Sequence, residues 1–133
     1  MLVLVNSITM LKEYITFLPP QAIDILERAE NPTTIIYPGA QYLADNLLAP
    51  DGSIGIRISS DPFCKRLIEF TGCPLVSTSA NISSENDITS YKDLKIPVDF
   101  IVKGECKYGQ SSTVVDLVNK KVLRQGVKPF KFI

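Results

Sequence analysis

Apolar residues along this chain fall into short runs whose period changes with position. Met1–Val5 is a continuous apolar run, as expected of an interior strand in a mixed or parallel sheet. Ile8, Leu11, Ile15 and Leu18 then recur at helical spacing, with Asn6 or Ser7 as the N-cap and Pro19-Pro20 as the stop. Ala22, Ile25, Leu26 and Ala29 form one stripe of a second helix over Gln21–Ala29. Thr33–Tyr37 is β-branched and aromatic and reads as a strand ended by Pro38-Gly39. Residues 40–52 read as a loop or short helix closing at Asp51-Gly52. Ile54, Ile56 and Ile58 alternate with Gly55 and Arg57, which predicts a period-two strand with one arginine on its other face. Asp61-Pro62 starts a helix whose buried stripe is Phe63, Leu67 and Phe70 and whose C-terminal glycine is Gly72. Pro74–Thr78 reads as another buried strand, running into the polar loop Ser79–Asp87. A short helix near Tyr91–Leu94 follows. Strands are expected over Phe100–Val102, Thr113–Val118, Lys121–Arg124 and Val127–Ile133, with an Asn119-Lys120 turn between the second and third. This order predicts one α/β domain over residues 1–133 with a twisted, mixed open sheet flanked by helices.

Composition removes several chemistries. At 133 residues, with 45% hydrophobic and 21% charged, the chain can bury a core without disulfide or metal staples. No apolar run approaches the roughly 18 residues of a membrane span, and the N-terminus lacks the basic region and cleavage site of a secretory signal. Histidine is absent, which excludes Ser-His-Asp and Cys-His catalysis, histidine-ligated metals and a histidine pH switch. Cys64, Cys73 and Cys106 are an odd, scattered set, read as reduced, buried thiols in a cytoplasmic protein. The net charge is zero, yet residues 103–133 carry seven cations against Glu105 and Asp116, a surplus of +5 that could meet phosphates or simply form a solvated lysine face.

Four polar clusters fall at strand ends or loops, where α/β proteins place their sites. Asn31-Pro32-Thr33-Thr34 enters a strand. Arg57 stands alone among isoleucines and needs an anion, because an unpaired buried charge is costly; a structural acid and a ligand carboxylate or phosphate satisfy that need equally well. Ser77-Thr78-Ser79-Ala80-Asn81 crowds the exit of an apolar strand, either as a nest for an anion or as a turn cap. Gly109–Thr113 precedes a strand, and a hairpin about Asn119-Lys120 would bring Ser112 and Arg124 to one end of the sheet.

Taken in order, these segments resemble the YrdC-like family of threonylcarbamoyl-adenylate synthases. Asn31–Pro38 partly matches its Pro-Gly-Pro-x-Thr segment, and Ile54–Ile58 with Asp61-Pro62 resembles its Val-x-Val-Arg strand and helix start. Pro74–Ser84 reproduces most of Pro-Leu-Val-Ser-Thr-Ser-Ala-Asn-Leu-Ser-Gly. Ser112–Asp116 and Arg124-Gln125-Gly126 resemble its Ser-Thr-Val-Val-Asp strand and Arg-x-Gly end.

The resemblance implies a reaction in which L-threonine, bicarbonate and ATP give threonylcarbamoyl-AMP and pyrophosphate for tRNA modification. ATP enters as a substrate, with magnesium, and no protein-bound metal is expected. By the family pattern Arg57, Ser77 and Ser112 would hold threonine, whereas Thr34, Ser79, Asn81 and Arg124 would meet the nucleotide. Double-stranded RNA or tRNA is an implied partner, and non-catalytic RNA binding is the alternative function. Glu30-Asn31 and Ser84 depart from the pattern. The chain resembles the family's C-terminal two thirds, without the Lys-x-Arg portion, so a truncated sheet, weak or absent catalysis and self-association through an exposed sheet edge are expected.

Overall fold

Strand pairing follows the sequence periodicity closely. The computed structural model describes residues 1–80, 88–104, 112–126 and 130–131. Among these, six strands, β1 (Leu2–Val5), β2 (Thr33–Tyr37), β3 (Ile54–Ile58), β4 (Leu75–Ser77), β5 (Thr113–Asp116) and β6 (Lys121–Arg124), form one sheet ordered β4-β1-β3-β2-β5-β6. β1 and β3 are parallel, as are β2 and β5; the other neighbours are antiparallel. The α/β class and mixed open sheet read from the sequence are therefore observed.

The two faces of the sheet have different chemistry. Val76, Val3, Ile56, Ile35, Val115 and Val122 lie opposite one another across all six strands. This apolar row meets α1 (Ile8–Tyr14) and α2 (Pro20–Arg28), and Leu11, Ile15, Ala22 and Ile25 complete the core. One residue along, Leu75, Leu4, Arg57, Thr34, Val114 and Arg124 form the row on the opposite face. Cross-strand partners share a face, so the strand period alone puts both arginines on the same side of the sheet.

Local signals start and stop the helices. The Ser7 hydroxyl accepts from the Met10 N–H at 3.1 Å and caps α1. α1 does not run to Leu18. Ile15 turns extended and bridges Ala40, while the Gln41 N–H donates to the Tyr14 carbonyl at 3.0 Å, and Ile15 is buried in this extended pairing. α2 begins one residue before the expected helix, at Pro20, and ends at Arg28. α3 (Pro62–Thr71) starts at Asp61, whose carboxylate accepts from the Cys64 N–H at 2.9 Å, and ends at left-handed Gly72. Its inward side chain is Ile68 rather than the predicted stripe: Phe63, Leu67 and Phe70 face outward, with Phe70 91% exposed. Cys64, partly buried, and Ile68, buried, lie four residues apart on one face of the helix.

Three more expectations are corrected. β4 is an edge strand rather than a buried one, with Val76 56% exposed. Phe100–Val102 is not a strand, and all three residues are exposed. Of the thiols, Cys73 is exposed and Cys64 only partly buried, so neither is a core residue. Cys106, Asn81 and most of the expected last strand lie outside the described residues.

Candidate functional site

The floor of the site is the sheet face opposite α1 and α2. An open cleft of about 1190 Å³ lies over it, and its lining includes Thr34, Arg57, Ser77, Ser79, Ser112 and Arg124. Six of the seven residues singled out from the sequence thus converge on one cavity; the seventh, Asn81, lies outside the described residues.

Each group reaches the cleft through its strand register. Thr34 on β2 pairs with Arg57 on β3 and with Val114 on β5, whose other partner is Arg124 on β6. The hydroxyls of Thr34 and Ser112 are buried and lie 3.1 Å apart. Arg124 donates from Nε to the Ser112 carbonyl at 2.8 Å and from Nη2 to the Ser112 hydroxyl at 3.2 Å. The hairpin anticipated between Ser112 and Arg124 is therefore present. These bonds fix the guanidinium plane and leave Nη1 without a hydrogen-bond partner among the described residues.

Arg57 meets no structural acid among the described residues: no carboxylate of theirs lies within ion-pair distance of it. Burial lowers its tendency to hold its proton; the nearby Cys64 thiol acts in the opposite sense, and the second cation, Arg124, lowers it further. Two guanidiniums thus face one hollow, with Lys103 also on its wall and Asp61 as the one acid among the described lining residues. Such a site is complementary to an anion rather than to a cation.

Three contributors escaped the sequence reading. Gly55 lies on the cleft floor beside Thr34 and Leu2, and a Cβ there would sit 3.4 Å from Thr34 Cγ2. A glycine inside a strand marks a close approach, and that was the available signal. Asp61 and Phe63, read only as a helix start and a core residue, line the cleft from the first turn of α3. No grouping of three or more His, Cys, Asp or Glu that could hold a metal ion occurs among the described residues.

The fold is thus a mixed α/β sheet carrying a basic, hydroxyl-lined cleft. The chain belongs to the Sua5/YciO/YrdC family, described as telomere recombination, whose pattern matches residues 1–126. A threonylcarbamoyl-AMP synthase of Pseudoalteromonas translucida is 34% identical over 109 residues, covering 76% of this chain and 57% of that protein. The Haemophilus influenzae threonylcarbamoyl-AMP synthase is 34% identical over 101 residues, covering 73% and 55%. The chain thus spans a little over half the length of these relatives. Among solved structures, P. abyssi Sua5 complexed with L-threonine superposes with a TM-score of 0.74 at 25% identity, covering 88% of this chain and 36% of that one. Full-length HypF shares the fold, with a TM-score of 0.66 at 18% identity over 86% of this chain and 19% of that one.

Proposed function

We propose that the cleft binds L-threonine and ATP and serves formation of threonylcarbamoyl-AMP from threonine, bicarbonate and ATP, with release of pyrophosphate. The observation that carries this reading is the meeting of Arg57 and Arg124 with the hydroxyls of Thr34, Ser77, Ser79 and Ser112 in one hollow that holds a single acid among its described lining residues. The relatives named for this product, and the P. abyssi Sua5 structure complexed with L-threonine, support the choice of ligands.

The roles follow from charge. A threonine carboxylate fits Arg57, which has no acid partner among the described residues, with Ser77 and Ser112 as neutral donors beside it. The nucleotide phosphates fit Arg124 and the Ser79 end of β4, with Thr34 bracing Ser112. Magnesium enters as part of the nucleotide substrate. With no histidine in the chain, these residues act by holding the reactants and neutralising phosphate charge rather than by shuttling protons.

Calorimetric titration with ATP and with L-threonine tests the proposal. Saturable heat with each, lost in the Arg124→Ala and Arg57→Met variants respectively, is the expected result. No heat with either ligand at millimolar concentration overturns it. Exposed Lys120 and Lys121 at the β6 edge favour a second reading, duplex RNA binding; affinity that falls steeply with added salt would support it.

A further inference from the structure

The register of β6 is irregular at one point, and that point decides which side chain enters the cleft. Val115 pairs with Val122, yet the preceding Val114 pairs with Arg124, so Leu123 is the extra residue of a β-bulge. In an unbulged ladder Leu123 would oppose Val114 on the cleft face and Arg124 would turn to the other side.

A contact just beyond the bulge secures the observed register. The Gly126 N–H donates to the hydroxyl of buried Thr113 at 2.9 Å, while the Thr113 N–H donates to the Pro32 carbonyl at 3.0 Å. The chain ends of β2, β5 and β6 meet here. Gly126 fits only because it lacks a side chain. An added Cβ would lie 2.8 Å from Thr113 Oγ1, 2.9 Å from the Thr113 backbone nitrogen and 3.0 Å from Asn31 Nδ2. The backbone nitrogen cannot step aside without disturbing β5.

We infer that Thr113 and Gly126 are positioning residues: their contact holds the Leu123 bulge and so aims Arg124, rather than Leu123, into the cleft. The ligand consequence rests on the function proposed above, but the register does not. Nuclear magnetic resonance of the ligand-free protein reads the register directly. The wild type should show a cross-strand Val114–Arg124 contact and a slowly exchanging Arg124 Nε–H bonded to Ser112. Thr113→Val keeps the side-chain shape and removes the hydroxyl; it should weaken the Val114–Arg124 contact and speed Nε–H exchange about tenfold or more. Thr113→Ser should restore both, which a general packing role would not. Gly126→Ala should behave like Thr113→Val, and if it fails to fold, the two threonine variants carry the test. ATP affinity should fall in step, and not fall further when Thr113→Val is added to Arg124→Ala. Thr113→Val with wild-type register and exchange would overturn the inference. A wild type that keeps this register yet binds no ATP would overturn the proposed function alone.

Discussion

Arg57→Met should make the ligand-free protein more stable and the ligand-binding protein weaker. The guanidinium is partly desolvated, has no acid partner among the described residues and feels Arg124 as a like charge. Leaving a polar group unsatisfied costs about 1–3 kcal/mol, and access to water through the open cleft reduces this to about 1 kcal/mol. Methionine keeps the apolar stem over the sheet and removes the charge. For a chain of this length a gain of about 1 kcal/mol raises the melting midpoint by roughly 3–5 °C. Ligand binding should move the other way. A guanidinium–carboxylate pair makes two charge-assisted bonds of about 1.5–3 kcal/mol each, so even after screening in an open cleft threonine affinity should drop about 100-fold. Differential scanning calorimetry reads the first effect and isothermal titration the second. A structural arginine gives the reverse sign on stability. A variant that melts lower than wild type, or that binds threonine unchanged, refutes the argument.

Gly55→Val should lower ligand affinity about tenfold by filling the cleft floor while leaving the melting midpoint unchanged or higher, since valine suits a strand and its Cβ meets only ordinary contacts; titration and melting together check this. Ile35→Ala, at the fully buried centre of the core row, should cost about 2–5 kcal/mol in urea unfolding. Burial, with a hydrogen bond to Asp61, pushes the Cys64 thiol above its ordinary range, whereas Cys73 is exposed. Iodoacetamide should therefore label Cys73 well before Cys64, as peptide mass mapping would show. The same shift fixes a pH dependence. Above the ordinary thiol range the unfolded chain loses the Cys64 proton first, so stability falls as pH rises, and Cys64→Ala should flatten that alkaline decline in urea melts at successive pH values.

Local chemistry was legible where a residue's job depends on its own neighbours in sequence. Ser7 and Asp61 cap helices as their types suggest, Gly72 takes the left-handed position, and the isoleucine alternation of β3 places Arg57 opposite the core. What depended on a distant partner was misread. The size of Phe63, Leu67 and Phe70 suggested a buried stripe, but the side chain that α3 buries is Ile68. The apolar run Phe100–Val102 has strand composition, yet it pairs with no strand among the described residues and stays an exposed wall of the cleft. The Leu123 bulge could not be read at all, because a register exists only between two strands. The cleft lining was more legible than the packing, since polar residue types at strand ends mark it in the sequence whereas packing depends on volume and distant partners.

The strongest physical argument for the cleft is where the rules of stable folding are broken. The core face has none of these breaches: from Val76 to Val122 its central row is apolar, and the helices complete it with Leu11, Ala22 and Ile25. The opposite face holds an arginine with no acid partner among the described residues, a glycine in mid-strand and a bulge, each of which costs stability in isolation. All three make sense together if the face accommodates an anion: Gly55 makes room for it, Arg57 waits for its charge, and the bulge turns Arg124 towards it. Such clustering is expected of a site and not of drift, which would scatter the breaches over both faces. Correcting these breaches singly should stabilise the fold or leave it unchanged while weakening the ligand, whereas substitutions along the core row should destabilise the fold first.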